Sequence, residues 1–149
     1  MKTLIVYDSV YGNTEKIANA IGSTIAGEVK VLRVSEVKPS EFQTIDLLVI
    51  GSPTHAGRPT QAIQTFLKEI SPSAFKNANA VAFDTRLSMK LVGIFGYAAD
   101  KIAGSLKKNG WTITVPPKGF FVKGKNGPLK EGELERAVDW AKEIVQSTS

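Results

Sequence analysis

Residues Ser9-Val10-Tyr11-Gly12-Asn13-Thr14 form a polar turn between a predicted strand and a predicted helix. The apolar run 4–7 precedes the turn, and apolar residues at helical spacing follow it, namely Ile17, Ala18, Ile21 and Ile25. A glycine in such a turn lets the backbone approach a ligand closely. The first turn of a helix leaves backbone N–H groups unpaired and carries partial positive charge. The stretch therefore predicts a site that binds phosphate without a lysine.

The same stretch also has a purely structural interpretation, in which Ser9 or Asn13 caps the helix that follows. The two alternatives differ in what satisfies the free N–H groups, which is either a side chain of the turn or a bound anion. A second polar loop at residues 51–59, after another predicted strand, favours the phosphate site.

The composition is typical of one globular domain over residues 1–149, with 42% hydrophobic and 22% charged residues. The chain has no cysteine, which excludes disulfides, thiolate catalysis and cysteine-bound metal centres. It shows neither a signal-peptide pattern nor an apolar run long enough to cross a bilayer. We therefore expect a cytoplasmic protein that has no membrane partner.

The net charge of +5 indicates that acidic partners are attracted to the surface. The lysines are spread along the chain, with small clusters at Lys107-Lys108 and between Lys123 and Lys130. Proteins that bind single-stranded nucleic acid combine a basic groove with stacking aromatic residues, and no such interleaving occurs here. We expect a solvated basic surface and no nucleic-acid partner.

Strand and helix patterns alternate along the chain. The predicted strands are 3–8, 29–34, 46–51, 78–83 and 111–115, the last broken by Pro116-Pro117 and continued at 119–122. The predicted helices are 14–26, 60–70, 97–109 and 131–146, with a short helix within 37–45. Unbroken apolar strands such as residues 47–50 are typical of a parallel sheet that is buried on both faces. The series predicts an α/β fold, an open five-stranded parallel sheet with helices on both faces.

Ligands of such sheets bind beyond the carboxyl ends of the strands, where the strand order reverses. Polar loops follow three of the predicted strands at that edge. They are residues 9–14 after the first strand, 51–59 after the third and 84–88 after the fourth. We therefore expect these three loops to form one ligand site.

The loops resemble those of the flavodoxin family, and the resemblance covers nearly the whole chain. The family's phosphate loop usually reads Ser/Thr-x-Thr-Gly-Asn-Thr, and Ser9, Gly12, Asn13 and Thr14 match it, with Tyr11 in place of the middle threonine. Residues 7–16 are also similar to the flavodoxin domain of flavodiiron proteins, and residues 51–54 resemble the family's second flavin loop. The resemblance implies the strand order 2-1-3-4-5 and bound FMN.

The resemblance also implies a role for particular residues. The phosphate would be held by the side chains of Ser9, Asn13 and Thr14 and by backbone N–H groups of Val10, Tyr11, Gly12, Asn13 and Thr14. One side of the isoalloxazine ring would be lined by Pro53, Thr54, His55, Ala56 and Gly57. The other side would be bordered by Asp84, Thr85 and Arg86.

Three features depart from the family pattern. His55 stands where many flavodoxins have a ring-stacking Trp or Tyr, and a stacked histidine predicts a pH-dependent flavin potential. The third loop lacks an obvious stacking aromatic, for which Phe95 and Tyr97 are the candidates. The chain is basic, whereas flavodoxins are typically acidic. Arg58, Arg86 and Lys90, in or near the flavin loops, therefore predict a less reducing second couple, because cations stabilise the anionic reduced flavin.

The expected function is electron transfer between redox partner proteins of acidic character, because the cofactor does the chemistry and no catalytic side chain is evident. The first alternative is an FMN-dependent reductase of NAD(P)H or quinones, which needs a roomy pocket above the ring. The second is a receiver-like signalling domain, for which Asp8, Thr85 and Lys118 are suitably placed. A receiver needs an acceptor aspartate after the third strand, where this chain has Gly51-Ser52. A Walker-type phosphate motif is absent.

Overall fold

The computed structural model describes residues 1–88 and 96–148. In chain order, its strands and α-helices are β1 (Lys2–Tyr7), α1 (Asn13–Thr24), β2 (Glu28–Arg33), β3 (Leu47–Pro53), α2 (Gln61–Glu69), β4 (Asn79–Leu87), α3 (Ala98–Lys108), β5 (Thr112–Ile113), β6 (Lys118–Val122) and α4 (Glu133–Thr148). Short 3-10 helices lie at Val34–Glu36, Pro39–Thr44 and Pro72–Ala74. None of the helices in these two ranges is both long and apolar enough to cross a bilayer.

The strands form one parallel sheet in the order β2-β1-β3-β4-β5, and β6 also pairs with β4. The two strands β5 and β6 lie along the same edge of β4, with β5 beside Asn79 and Ala80 and β6 beside residues 83–87. They are the two halves of the predicted fifth strand, interrupted at Pro116-Pro117, where proline removes a backbone donor. The predicted α/β fold and strand order are confirmed.

The core has two layers because successive strand residues point to opposite faces of the sheet. In β1, Ile5 belongs to the layer beneath α1 and α4, whereas Leu4 and Val6 belong to the layer beneath α2 and α3. The first layer is completed by residues such as Ile17 and Trp140, and both are buried. The unbroken apolar strands therefore serve two hydrophobic layers, as the sequence predicts.

The strands β3 and β4 continue beyond their predicted ends at Gly51 and Phe83. Ser52 pairs with Asp84 and Pro53 with Thr85, and β6 accompanies β4 as far as Leu87. Strand neighbours on both sides satisfy the backbone of β4 here, so the strand persists through polar residues. Residues 84–87, which the sequence assigns to a loop, are therefore the end of a strand.

Candidate functional site

A cleft lies at the carboxyl edge of the sheet, where β1, β3, β4 and β6 end. Its cavity volume is ≈ 70 Å³, and the cleft opens to solvent. All three predicted loops contribute to its lining: Ser9, Val10, Tyr11, Asn13, Thr14, Pro53, Thr54, His55, Thr85, Arg86, Leu87, Val122 and Lys125. The predicted residues that do not line the cleft are Gly12, Ala56, Gly57 and Asp84.

The loop between β1 and α1 leaves the N-terminus of the helix open to the cleft. Gly12 is the N-cap residue and has a φ of 90°, a conformation that glycine adopts without steric cost. No side chain caps α1, because the Ser9 hydroxyl instead accepts a hydrogen bond from the Gly12 N–H at 3.0 Å. Among the described residues, the N–H groups of 10, 11, 13 and 14 have no acceptor. Unpaired donors at the positive end of a helix fit a phosphate and do not fit the capped-turn alternative.

Side chains of the same loop tie it to the neighbouring strand and to the chain after β6. The hydroxyls of Thr14 and Thr85 share a buried hydrogen bond of 2.8 Å. The Asn13 side-chain amide donates to the Asn126 carbonyl at 3.4 Å. The carbonyl of Thr85 in turn accepts from the Thr54 N–H at 2.9 Å. The loop is thus attached to both strands that flank the rest of the cleft.

Arg33, at the end of β2, holds the loop from its outer side. Its Nη1 donates to the Ser9 carbonyl at 2.9 Å and lies 3.5 Å from an Asp8 carboxylate oxygen. Its Nη2 lies 3.9 Å from Glu15, which accepts a hydrogen bond of 2.8 Å from the Tyr7 hydroxyl. Burial, and then this hydrogen bond, raise the pKa of Tyr7, so its hydroxyl remains a donor. Sequence reasoning missed Arg33, whose only signal was its position at the end of a strand beside β1.

His55 and Arg58 close a tight turn at the opposite wall of the cleft. The N–H of each donates to the carbonyl of the other at 2.9 Å. The two central residues, Ala56 and Gly57, have φ values of 50° and 77°. Positive φ at both central positions is typical of a type I′ turn. The turn places the exposed His55 side chain on the cleft wall, and Ala56 and Gly57 shape the turn without lining the cleft.

Replacing Ala56 with Gly will raise the free energy of unfolding by about 1 kcal/mol, because a left-handed conformation costs a residue with a Cβ about 1–2 kcal/mol. Urea unfolding of the FMN-free protein measures the change. The matched control is Ala20→Gly within α1, which will lower stability by about 0.5–1 kcal/mol. An Ala56→Gly protein that is less stable than the parent would show that Ala56 is unstrained.

An ion pair lies behind the cleft, at the end of β4. Asp84 is completely buried and accepts hydrogen bonds from Arg86 at 2.7 and 2.8 Å and from the Ala99 N–H at 2.9 Å. Burial raises the pKa of Asp84 above its ordinary value, although the Arg86 guanidinium opposes the shift. The guanidinium lies 3.6 Å from the centre of the Tyr97 ring, and a Cβ on Gly119 would collide with it. The pair fixes β4 against the first turn of α3 and presents Arg86, not Asp84, to the cleft.

This geometry changes the expectations about stacking and charge. Tyr97, one candidate to cover the ring, instead contacts the Arg86 guanidinium, and Phe95 lies outside the described residues. The charge of Arg86 is balanced by Asp84, whereas Arg58 has no carboxylate partner in the described part of the chain. Lys90, the third cation of the prediction, lies outside the described residues. The less reducing second couple stays a prediction, and it depends on the exposed cations of the rim.

Two residues of the lining, Val122 and Lys125, were missed by sequence reasoning, and a third, Leu87, lies in the predicted loop 84–88 but was not named as a site residue. They belong to the end of β4 and to the end of β6 with the loop after it. In the sequence, β6 is recognisable only as the continuation of a broken strand. The position of the loop after β6 depends on the pairing of β6 with β4, which the sequence alone does not show. A parallel strand beside β4 must deliver its carboxyl end to the same edge of the sheet.

Comparisons with known proteins agree with this geometry. A family model described as "flavodoxin domain" matches residues 4–114. Diflavin flavoprotein A 2 of Thermosynechococcus vestitus is 34% identical over 119 residues, which are 75% of this chain and 20% of that protein. Protoporphyrinogen IX dehydrogenase [quinone] of Escherichia coli K12 is 31% identical over 91 residues, which are 55% of this chain and 50% of that protein. The chain thus spans about one fifth to one half of the length of these relatives.

Solved structures show the same fold over the whole chain. A flavodoxin from the domain Archaea superposes with a TM-score of 0.82 at 23% identity, covering 99% of both chains. The rubredoxin oxygen:oxidoreductase of Desulfovibrio gigas superposes with a TM-score of 0.78 at 22% identity, covering 99% of this chain and 36% of that chain. The family model covers most of the chain, and the open donors of the first loop fit the phosphate of FMN. The chain belongs to the flavodoxin family and is an FMN-binding flavoprotein domain.

Proposed function

We propose that the chain is an electron-transfer protein that carries electrons on bound FMN between redox partner proteins in the cytoplasm. FMN supplies the redox chemistry when bound, and the chain supplies binding, orientation and a surface for docking. The observation that carries the proposal is the exposure of two large apolar side chains at the mouth of the cleft. Val10 and Tyr11 are 54% and 46% exposed, and both also line the cleft. An exposed apolar patch beside a cofactor site is typical of a docking surface.

Different residues of the cleft then bind different parts of FMN. The open N–H groups of residues 10, 11, 13 and 14 and the Ser9 hydroxyl hold the phosphate. Pro53, Thr54 and His55 line one side of the ring, and Thr85 and Arg86 the other. Ala56, Gly57 and Asp84 act through the turn and the ion pair that position these neighbours.

Exposed cations surround the mouth of the cleft. Arg58 belongs to the His55 turn and Lys125 lines the cleft, and both residues are exposed. The nearest carboxylates of the first loop, Asp8 and Glu15, interact with Arg33. The rim is therefore positive, and it favours partners whose docking surfaces are acidic.

The test is the salt dependence of electron transfer with two probes of opposite charge. An acidic iron–sulfur ferredoxin, reduced beforehand, will reduce the FMN-loaded protein, and the rate constant will fall at least about tenfold as salt rises from about 10 mM to about 0.5 M. A basic cytochrome c, reduced by the protein, will respond in the opposite direction, because salt screens repulsion. Stopped-flow absorbance measures both rates. A rate that falls with salt for the cytochrome and rises for the ferredoxin would contradict the proposed docking surface.

A quinone-linked FMN reductase is the second candidate, and it is supported by the similarity to a protein named protoporphyrinogen IX dehydrogenase [quinone]. The FMN-loaded protein is mixed with NADH, and separately with NADPH, in the presence of a water-soluble quinone. For an electron carrier that receives its electrons from a partner protein, nicotinamide oxidation will not begin, with or without the quinone. Continuous turnover with the quinone, without added partner protein, would favour the reductase.

A further inference from the structure

We propose that Lys125 binds the phosphate of FMN from a fourth loop, residues 123–128, that covers the phosphate-binding turn. The inference depends on the phosphate position given above for the N-terminus of α1. It adds a cation to a phosphate site that the sequence predicts to work without a lysine.

The fourth loop has a conformation fixed by its own backbone. Val122 and Leu129 form an antiparallel bridge at its base. The Lys123 N–H donates to the Pro128 carbonyl at 2.9 Å, and the Gly127 N–H donates to the Gly124 carbonyl at 3.0 Å. The loop is therefore a closed hairpin that presents Lys125 near its tip.

The hairpin rests on the first residue of α1. Asn13 is 8% exposed and donates a hydrogen bond to the Asn126 carbonyl. Gly127 approaches so closely that a Cβ on it would lie 2.6 Å from both terminal atoms of the Asn13 side chain. Glycine is also suited to its φ of 95°. The fourth loop is consequently held against the Asn13 side chain at the N-terminus of α1.

Lys125 lies in the cleft and has no carboxylate partner among the described residues. Its side chain lines the cleft together with Ser9, Asn13 and Thr14 of the phosphate turn. No carboxylate in residues 1–88 or 96–148 forms an ion pair with it. Asp8 and Glu15, the carboxylates of the neighbouring turn, instead interact with Arg33. Lys125 thus brings a cation without a carboxylate partner to the same cleft as the open backbone donors, and such a charge favours a phosphate ligand.

The experiment compares FMN with riboflavin, which lacks the phosphate, on the wild-type protein and three variants. Flavin fluorescence titrations give the dissociation constants. Lys125→Gln will weaken FMN binding about three- to tenfold and leave riboflavin binding unchanged, because only the phosphate meets the ammonium group. Lys125→Arg, which keeps the charge, will restore most of the FMN affinity. The matched control Lys123→Gln, on the same hairpin but outside the cleft lining, will change neither constant.

Equal weakening of FMN and riboflavin by Lys125→Gln would overturn the inference, because the effect would then arise at the ring or in the fold. Unchanged FMN affinity in Lys125→Gln would overturn it as well. The same would follow if Lys123→Gln weakened FMN binding as strongly as Lys125→Gln, since a general surface field would explain both. A wild-type protein that binds neither flavin would instead contradict the FMN site itself, so the two failures are distinguishable.

Discussion

Replacing Arg86 with Met will lower the free energy of unfolding of the FMN-free protein by about 3–5 kcal/mol near neutral pH. Asp84 is completely buried, and Arg86 provides two of its hydrogen bonds. Methionine fills much of the same volume and leaves the carboxylate with neutral hydrogen-bond donors, the Ala99 N–H and the Thr54 side chain. A buried charge that has lost its counter-ion is among the costliest defects in a fold. Urea unfolding of the parent and the variant gives the difference.

The loss will depend on pH. Burial raises the pKa of Asp84, so the folded state holds this proton more tightly than the unfolded state does. The contribution of a protonated Asp84 is present below the unfolded-state pKa and is lost as the pH rises through the folded-state pKa. Because Arg86 lowers the pKa of Asp84, its removal raises the folded-state pKa of this carboxyl. Protonated Asp84 then persists in the folded state up to a higher pH. The deficit of Arg86→Met will therefore be smaller at about pH 5 than at about pH 8.

The double variant Asp84→Asn/Arg86→Met serves as the control for this pair. It removes the carboxylate together with its counter-ion and will recover most of the lost stability. Its remaining difference from the parent will also not change between the two pH values. A deficit of Arg86→Met below about 1 kcal/mol, or one that is equal at both pH values, would show that the pair contributes no more than a surface salt bridge.

The second large effect concerns the ligand. Riboflavin will bind the wild-type protein at least about a hundredfold more weakly than FMN, because hydrogen bonds to a charged group contribute about 1.5–3 kcal/mol each. The N–H groups of residues 10, 11, 13 and 14 have no acceptor among the described residues, and the loss of two such bonds accounts for that factor. Titration calorimetry with each ligand measures the ratio, and visible absorbance of the complex confirms that flavin is bound. Equal affinities for the two ligands would show that the turn at residues 9–14 does not bind phosphate.

The sequence predicts those parts of the fold and site that depend on neighbours along the chain. The turn at residues 9–14 carries its signal locally, since strand, glycine and helix follow one another within a few residues. Continuous apolar strands predict a sheet with two covered faces, and the comparisons confirm the family that the loops resemble.

The remainder depends on pairings between distant segments. The strand end at Asp84–Leu87 is stabilised by β6, and nothing in its own composition marks it as a strand. The contact of Arg33 with Ser9 joins the end of one strand to the loop after another. Lys125 reaches the cleft only because β6 pairs with β4 beyond the proline break. The local sequence pattern cannot predict these contacts, because the residues involved are brought together only when the sheet forms.

The hydroxyls of Thr14 and Thr85 share one hydrogen bond, and either of them can be its donor. Each hydroxyl carries a single proton, so one proton is used inside the pair and the other is left to point elsewhere. A phosphate beside Thr14 offers only acceptors, and it therefore selects the arrangement in which Thr85 donates to Thr14 and the Thr14 proton faces the ligand. An anion bound in the turn thus fixes the direction of the Thr85 hydroxyl on β4, on the side of the cleft proposed to border the flavin ring.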